Sequence, residues 1–150
     1  MSNHNQYQLF REIISRSVGK TWDEAVKEWD LVGVLQGDSP ETCLCGHYPI
    51  LELCFLRNVR NGATATVGNV CVNRFMNIPS QSIFDGLARV RAGVRNAMNP
   101  AVLDWAVVQG WVTPWEERFY RDTWRKRVLS ERQLHQRIRI NNHVLGRCTA

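Results

Sequence analysis

The sequence predicts a mostly α-helical fold with a small β-hairpin, in which a treble-clef-like zinc knuckle is embedded in a single helical domain over residues 1–150. Three observations lead to that class. Apolar residues recur at helical spacing between capping signals over most of the chain. Tyr48 to Arg57 and Ala63 to Val70 are instead rich in strand formers, and the Asn58–Gly62 stretch between them ends in the turn pair Asn-Gly. That hairpin is bracketed by Cys43-Leu-Cys-Gly-His47 on one side and Cys71 on the other.

In chain order, Gln6 to Val18 reads as a helix with Phe10, Ile13, Ile14 and Ser17 on one stripe and Gly19 as its stop. A second helix is predicted from Thr21, with a capping box between Thr21 and Glu24 and a buried face of Trp22, Ala25, Val26, Trp29 and Val32. Gly37 to Pro40 close this N-terminal helical section, 1–37, and open a loop. Knuckle, hairpin and a short helix from Val70 to Met76 occupy 41–77. Pro79 and Ser80 break that helix, and Ile83, Leu87, Val90 and Val94 mark the next. Asn99, Pro100 and Gly110 then supply cap, first-turn proline and stop for a further one.

Two capping boxes punctuate the end of the helical section 80–146. Thr113 and Glu116 start a helix through Trp115, Phe119, Trp124 and Val128; Ser130 and Gln133 start the last, with Leu134, Ile138, Asn141 and Leu145 as its buried face. Arg132, Gln136, Arg139 and His143 recur at spacings of three and four on the opposite face. Cys148, beyond the stop at Gly146, reads as a free tail thiol.

Composition bounds the function. A chain of 150 residues with 44% hydrophobic side chains and six Trp has enough apolar material for a core, and no apolar run approaches the ~20 residues that span a bilayer. The polar start, Met1 to Asn5, has no secretory pattern, so a cytoplasmic protein with no membrane association is expected. In that reducing compartment five Cys read as metal ligands or buried thiols, not as disulfides.

Cys43, Cys45 and His47 can point at one centre because Gly46 permits a tight turn. The hairpin brings the chain back, and Gly68 precedes Cys71 at a helix start, where backbone amides favour a thiolate. The expected site is a structural Zn²⁺ held by Cys43, Cys45, His47 and Cys71, with Cys54 in the first strand as the rival to His47. Four ligands fill the site, and no His-x-Glu, P-loop or dinucleotide fingerprint accompanies it, so a non-catalytic protein is expected.

The net charge of +5 is unevenly placed: residues 1–110 carry ten basic and ten acidic side chains, residues 111–150 nine and four. Arg125, Lys126, Arg132, Arg137 and Arg139 are the candidate contacts to a polyanionic or acidic partner. Trp115, Phe119, Tyr120 and Trp124, at helical spacing, read as core more readily than as a stacking platform.

The segments Cys43-Leu-Cys-Gly46, Asn58, Gly62, Val67-Gly68-Asn-Val-Cys71 and Leu129-Ser-Glu-Arg-Gln133 together resemble small uncharacterised proteins of phages, prophages and other bacterial mobile elements, over about residues 41 to 145. The resemblance implies a metal site and a phage-related setting in a bacterial host, and no specific activity. The expected function is therefore a zinc-stabilised binding protein acting on nucleic acid through its basic C-terminal face. The alternative is a phage-encoded protein that binds and inhibits or redirects a host protein complex, such as defence, transcription or replication machinery.

Overall fold

The structure, a computed structural model, describes residues 3–149; Met1 and Ser2 of the polar start, and Ala150, lie outside the described residues. Among the described residues seven α-helices and one antiparallel sheet of three strands, paired in chain order, give a mixed α/β arrangement. The chain divides into two compact units, one ending at Ser80 and the other spanning Gln81–Thr149. Among the described residues no helix is long and apolar enough to cross a membrane.

The first unit contains α1 (Asn3–Ser15), α2 (Trp22–Ala25), a single 3-10 turn at Val26–Glu28, β1 (Trp29–Glu41), β2 (Ile50–Asn58), β3 (Thr64–Gly68) and α3 (Asn69–Phe75). The second helix expected from Thr21 is thus corrected. Thr21 does cap it, its hydroxyl accepting from the Glu24 N–H, but the expected box is only half formed, since the Glu24 carboxylate accepts from the Lys20 N–H instead, and the helix ends at Ala25 with the chain extended from Trp29 onward. Trp22, Ala25, Val26 and Trp29 fit a helical period, while Trp29 and Leu31, both buried, fit the two-residue period of a strand. Tertiary pairing decides between the two. Without β1 the inner edge of β2 would carry unpaired N–H and C=O groups, and a two-stranded hairpin alone is marginal. β1 covers that edge from Trp29 opposite Asn58 to Gln36 opposite Glu52, with Val32 the extra residue of a bulge between Leu31 and Gly33.

A buried carboxylate fixes the hairpin's far end. Glu28 is 3% exposed; its Oε1 accepts from the Val18 N–H and from Asn58 Nδ2, each at 2.8 Å, and its Oε2 from the Gly19 N–H at 2.7 Å. Asn58 in turn accepts from the Arg60 and Asn61 N–H groups and so shapes the turn, while Gly62 takes the left-handed conformation at φ +76° that a side chain resists. Burial alone would raise the Glu28 carboxyl, but the Asn58, Val18 and Gly19 hydrogen bonds and nearby Arg60 hold it below the usual carboxylate range. A depressed folded pKa gives stability that is present above the unfolded value and lost as pH falls through the folded one. Urea midpoints of the wild type and Glu28→Gln should therefore differ clearly at neutral pH and converge on acidification below about pH 4, near the ordinary carboxyl range. A gap independent of pH would show that shape, not charge, is what Glu28 contributes.

The second unit holds α4 (Ser80–Ala92) from its second residue on, α5 (Pro100–Gln109), α6 (Pro114–Thr123) and α7 (Glu131–Leu145). Its punctuation follows the sequence closely. Asn99 caps α5, Gly110 ends it at φ +77°, and both expected capping boxes, Thr113 with Glu116 and Ser130 with Gln133, are formed in both directions. A polar chain ties this unit's interior: the Tyr120 hydroxyl accepts from the Met98 N–H at 2.7 Å and donates to Asn141 Oδ1 at 2.6 Å. Asn141 Nδ2 donates to the Val94 and Asn96 carbonyls, both at 2.8 Å, which explains a fully buried amide on an otherwise apolar stripe. The stripe itself is rotated from the one expected. Arg137, Ile140, Asn141 and Val144 are buried, whereas Leu134, Ile138 and Leu145 are only half-buried. Cys148 is likewise buried, not a tail thiol: its N–H returns to the Val144 carbonyl, and burial pushes the thiol pKa up.

Candidate metal centre and the C-terminal basic face

The knuckle is a closed turn built from backbone. The Cys43 N–H donates to the His47 carbonyl at 2.9 Å, the Gly46 N–H donates to the Cys43 carbonyl at 2.8 Å, and Gly46 sits at φ +92°. Helix α1 holds this turn from outside, Asn5 Nδ2 donating to the Cys45 carbonyl at 2.9 Å and Gln8 Nε2 to the Leu44 carbonyl at 3.3 Å. A Cβ at Gly46 would lie 3.1 Å from the Gln8 amide, so the residue is held both by its conformation and by its neighbour. β3 ends at Gly68, and Cys71 is the third residue of α3.

Cys43, Cys45 and Cys71 come together as a result. All three are buried, and their sulfurs lie within 4.8 Å of one another. The Cys43 and Cys71 sulfurs are 3.8 Å apart, far beyond a disulfide bond. That separation matches a tetrahedral metal site, where Zn–S bonds of about 2.3 Å place two sulfurs about 3.8 Å apart. Backbone donors surround the sulfurs: Gly68 N–H to Cys43 Sγ at 3.2 Å, Cys45 N–H to the same sulfur at 3.5 Å, and His47 N–H to Cys45 Sγ at 3.4 Å. Such N–H···S contacts orient and stabilise thiolates in a metal's outer shell. A hydrogen bond from Cys71, then the two amides, bring the Cys43 thiol down to about 5, against the opposing effect of burial. Cys71 is raised, first because its proton is committed to Cys43, and Cys45 is raised by burial. Three buried thiols close together can hold a metal ion.

No protein family, curated protein or solved structure matches this chain. What its sites can do therefore rests on their own geometry.

The remaining expected ligand stands apart from the trio. His47 contributes its backbone to the knuckle, but its side chain is exposed and its ring is not among the groups that meet within 4.8 Å. It does line, with the three cysteines, Glu52 and Asn69, a cavity of about 590 Å³. Cys54 neither joins the trio nor lines that cavity; it is a buried thiol whose pKa burial pushes up to about 12. Asn5 and Gln8, which hold the knuckle, are not apparent from the sequence. Two amides on the polar side of a first helix look like a solvated face until the turn they support is known.

The expected basic face is only partly a face. Arg125, Lys126 and Arg132 are exposed, with the Arg125 guanidinium 4.9 Å from the Trp124 ring centre. Arg139 is exposed but paired to Glu116 at 3.1 Å and hydrogen-bonded to Gln136. Arg137 is corrected outright: it is 6% exposed, and its Nη2 donates to the Thr123 carbonyl at 2.7 Å. Thr123 closes α6, so Arg137 neutralises the negative end of that helix instead of meeting a partner. Counted by unit, residues 81–149 carry twelve basic and six acidic side chains, and residues 1–80 seven and eight.

Proposed function

We propose that this chain is a zinc-stabilised, non-catalytic binding protein that acts on nucleic acid through the basic face of its C-terminal helices. One observation carries the reading: the excess charge sits on the second unit and is largely unneutralised. Among the described residues Arg118, Arg125, Lys126, Arg127 and Arg132 are exposed and make no ion pair, whereas Arg121 and Arg139 are paired. A local excess of free cations attracts phosphates and raises encounter rates without reading sequence.

The metal belongs to the scaffold in this reading. Knuckle, hairpin and helix make a treble-clef-like unit in which Cys43, Cys45 and Cys71 hold Zn²⁺ and His47, on the rim of the shared cavity, turns inward as the fourth ligand. Its place on that rim supports His47 over Cys54. Comparing His47→Ala with Cys54→Ala for zinc retention tests the choice, and loss of zinc from Cys54→Ala alone would reverse it.

Reversing Arg125, Lys126 and Arg132 together to Glu should weaken binding to random-sequence DNA at low salt and flatten its salt dependence, by about 0.9 in the log–log slope for each phosphate no longer neutralised. Zinc content and thermal stability should stay at wild-type values. Unchanged affinity would make these cations a solvated surface. If no nucleic acid binds at any salt, the acidic surface of a host protein becomes the partner to seek, by capture from nuclease-treated bacterial lysate.

A further inference from the structure

Trp115 and Phe119, expected to be core, are not fully buried. Trp115 is 50% exposed, and its ring lies almost parallel to that of Phe119, 8° apart with 5.5 Å between centroids. Tyr120, one residue on, shows what a core aromatic in this helix looks like: it is fully buried and hydrogen-bonded at its hydroxyl. The stacked pair forms one wall of an open groove of about 710 Å³ between α6 and α7. The other wall is polar, with Glu131, Arg132, His135 and Gln136.

A half-exposed tryptophan alone needs no explanation. Here an aromatic stack stands beside hydrogen-bonding side chains and an unpaired arginine, on the unit that carries the chain's excess positive charge. A planar ring entering the groove can extend the Trp115–Phe119 stack while its edge meets His135 or Gln136. Base faces are available in this way only when bases are unpaired, since a duplex buries them in its own stack. Glu131 lies in the first turn of α7 and is the groove's single carboxylate; it disfavours a phosphate at that end and directs the backbone toward Arg132.

We propose that the groove between α6 and α7 binds single-stranded nucleic acid, with an unpaired base stacked on Trp115 and an adjacent phosphate on Arg132. The inference rests on the nucleic-acid reading above and narrows it to unpaired strands.

The test measures fluorescence anisotropy of labelled oligothymidine, oligouridine and a duplex of equal length with the full chain at low salt. Either single strand should bind more tightly than the duplex. Trp115→Ala should weaken single-strand binding about fivefold or more, with Trp115→Phe recovering most of it, while duplex binding is unchanged. Arg132→Glu should lower single-strand affinity and reduce the salt slope by about 0.7, the single-strand value for one phosphate. Circular dichroism of each variant should match the wild type, and Trp115→Leu, which keeps apolar bulk but offers no aromatic face, stands in for Trp115→Ala with the same expected loss if the alanine variant does not fold. If Trp115→Ala, correctly folded, binds oligothymidine and oligouridine as the wild type does, or if the duplex binds more tightly than both, the groove proposal is overturned while nucleic-acid binding stands. Absence of binding to all three probes overturns both.

Discussion

Replacing Cys71 by serine should abolish stoichiometric zinc binding and lower the melting temperature by roughly 8–16 °C. The magnitude follows from linkage. Zinc present at ~1,000 times its dissociation constant stabilises the folded form by about 4 kcal/mol, and about 1 kcal/mol shifts a chain of this size by ~2–4 °C. Cys71 enters the site from α3 and Cys43 from the knuckle, so removing one sulfur leaves the other buried beside Cys45 with no cation. Elemental analysis of the wild type should give one zinc per chain, and a strong chelator should bring its melting temperature down to that of Cys71→Ser without altering the variant itself. Cys148→Ser should retain the metal, because its thiol lies outside the trio. A wild type that purifies without zinc, refuses added zinc and does not respond to chelator would end the zinc proposal.

Features set by adjacent residues are legible in the sequence. A capping box needs only a hydroxyl and an acid or amide three residues apart, and the turn at Asn58–Gly62 needs only a side chain that bonds its own backbone and a glycine free to take positive φ; the turn and the boxes at Thr113 and Ser130 stand where expected, and the one at Thr21 is half formed. The cysteine trio is legible for a related reason, since two ligands share one turn and the hairpin returns the third. What the sequence hides depends on partners distant along the chain. Trp29 to Val34 is a strand because β2 has an edge to fill, and nothing within the segment itself states that need. Arg137 and Asn141 are buried because carbonyls at Thr123, Val94 and Asn96 require donors, and a helical wheel sees only two polar residues. Trp115 departs from expectation in the opposite sense: helical spacing with Phe119 implies a shared face, and that face lines an open groove.

Arg137 supplies the sharpest separation between fold and function. Its Nη2 and Nη1 donate to the Thr123 and Arg95 carbonyls at 2.7 and 3.4 Å, its guanidinium lies 6.0 Å from the Tyr120 ring centre, and Nε has no hydrogen-bond partner among the described residues. A buried cation held by carbonyls, with no ion pair among the described residues, tolerates no reversal of sign. Arg137→Glu should therefore destabilise the chain by about 3–5 kcal/mol, the usual cost of an uncompensated buried charge, because it would press a carboxylate against the oxygens at the end of α6. Arg137→Met keeps much of the side chain's volume and should cost less, about 1–3 kcal/mol for the carbonyls left without a donor. Exposed Arg132, changed to Glu, should stay within ~0.5 kcal/mol of the wild type. Urea unfolding measures all three. The expected pattern is that Arg137→Glu weakens nucleic-acid binding only in proportion to the fraction unfolded, whereas Arg132→Glu weakens it while remaining folded. Wild-type stability in Arg137→Glu together with weakened binding would return Arg137 to the partner-facing surface and remove its structural role.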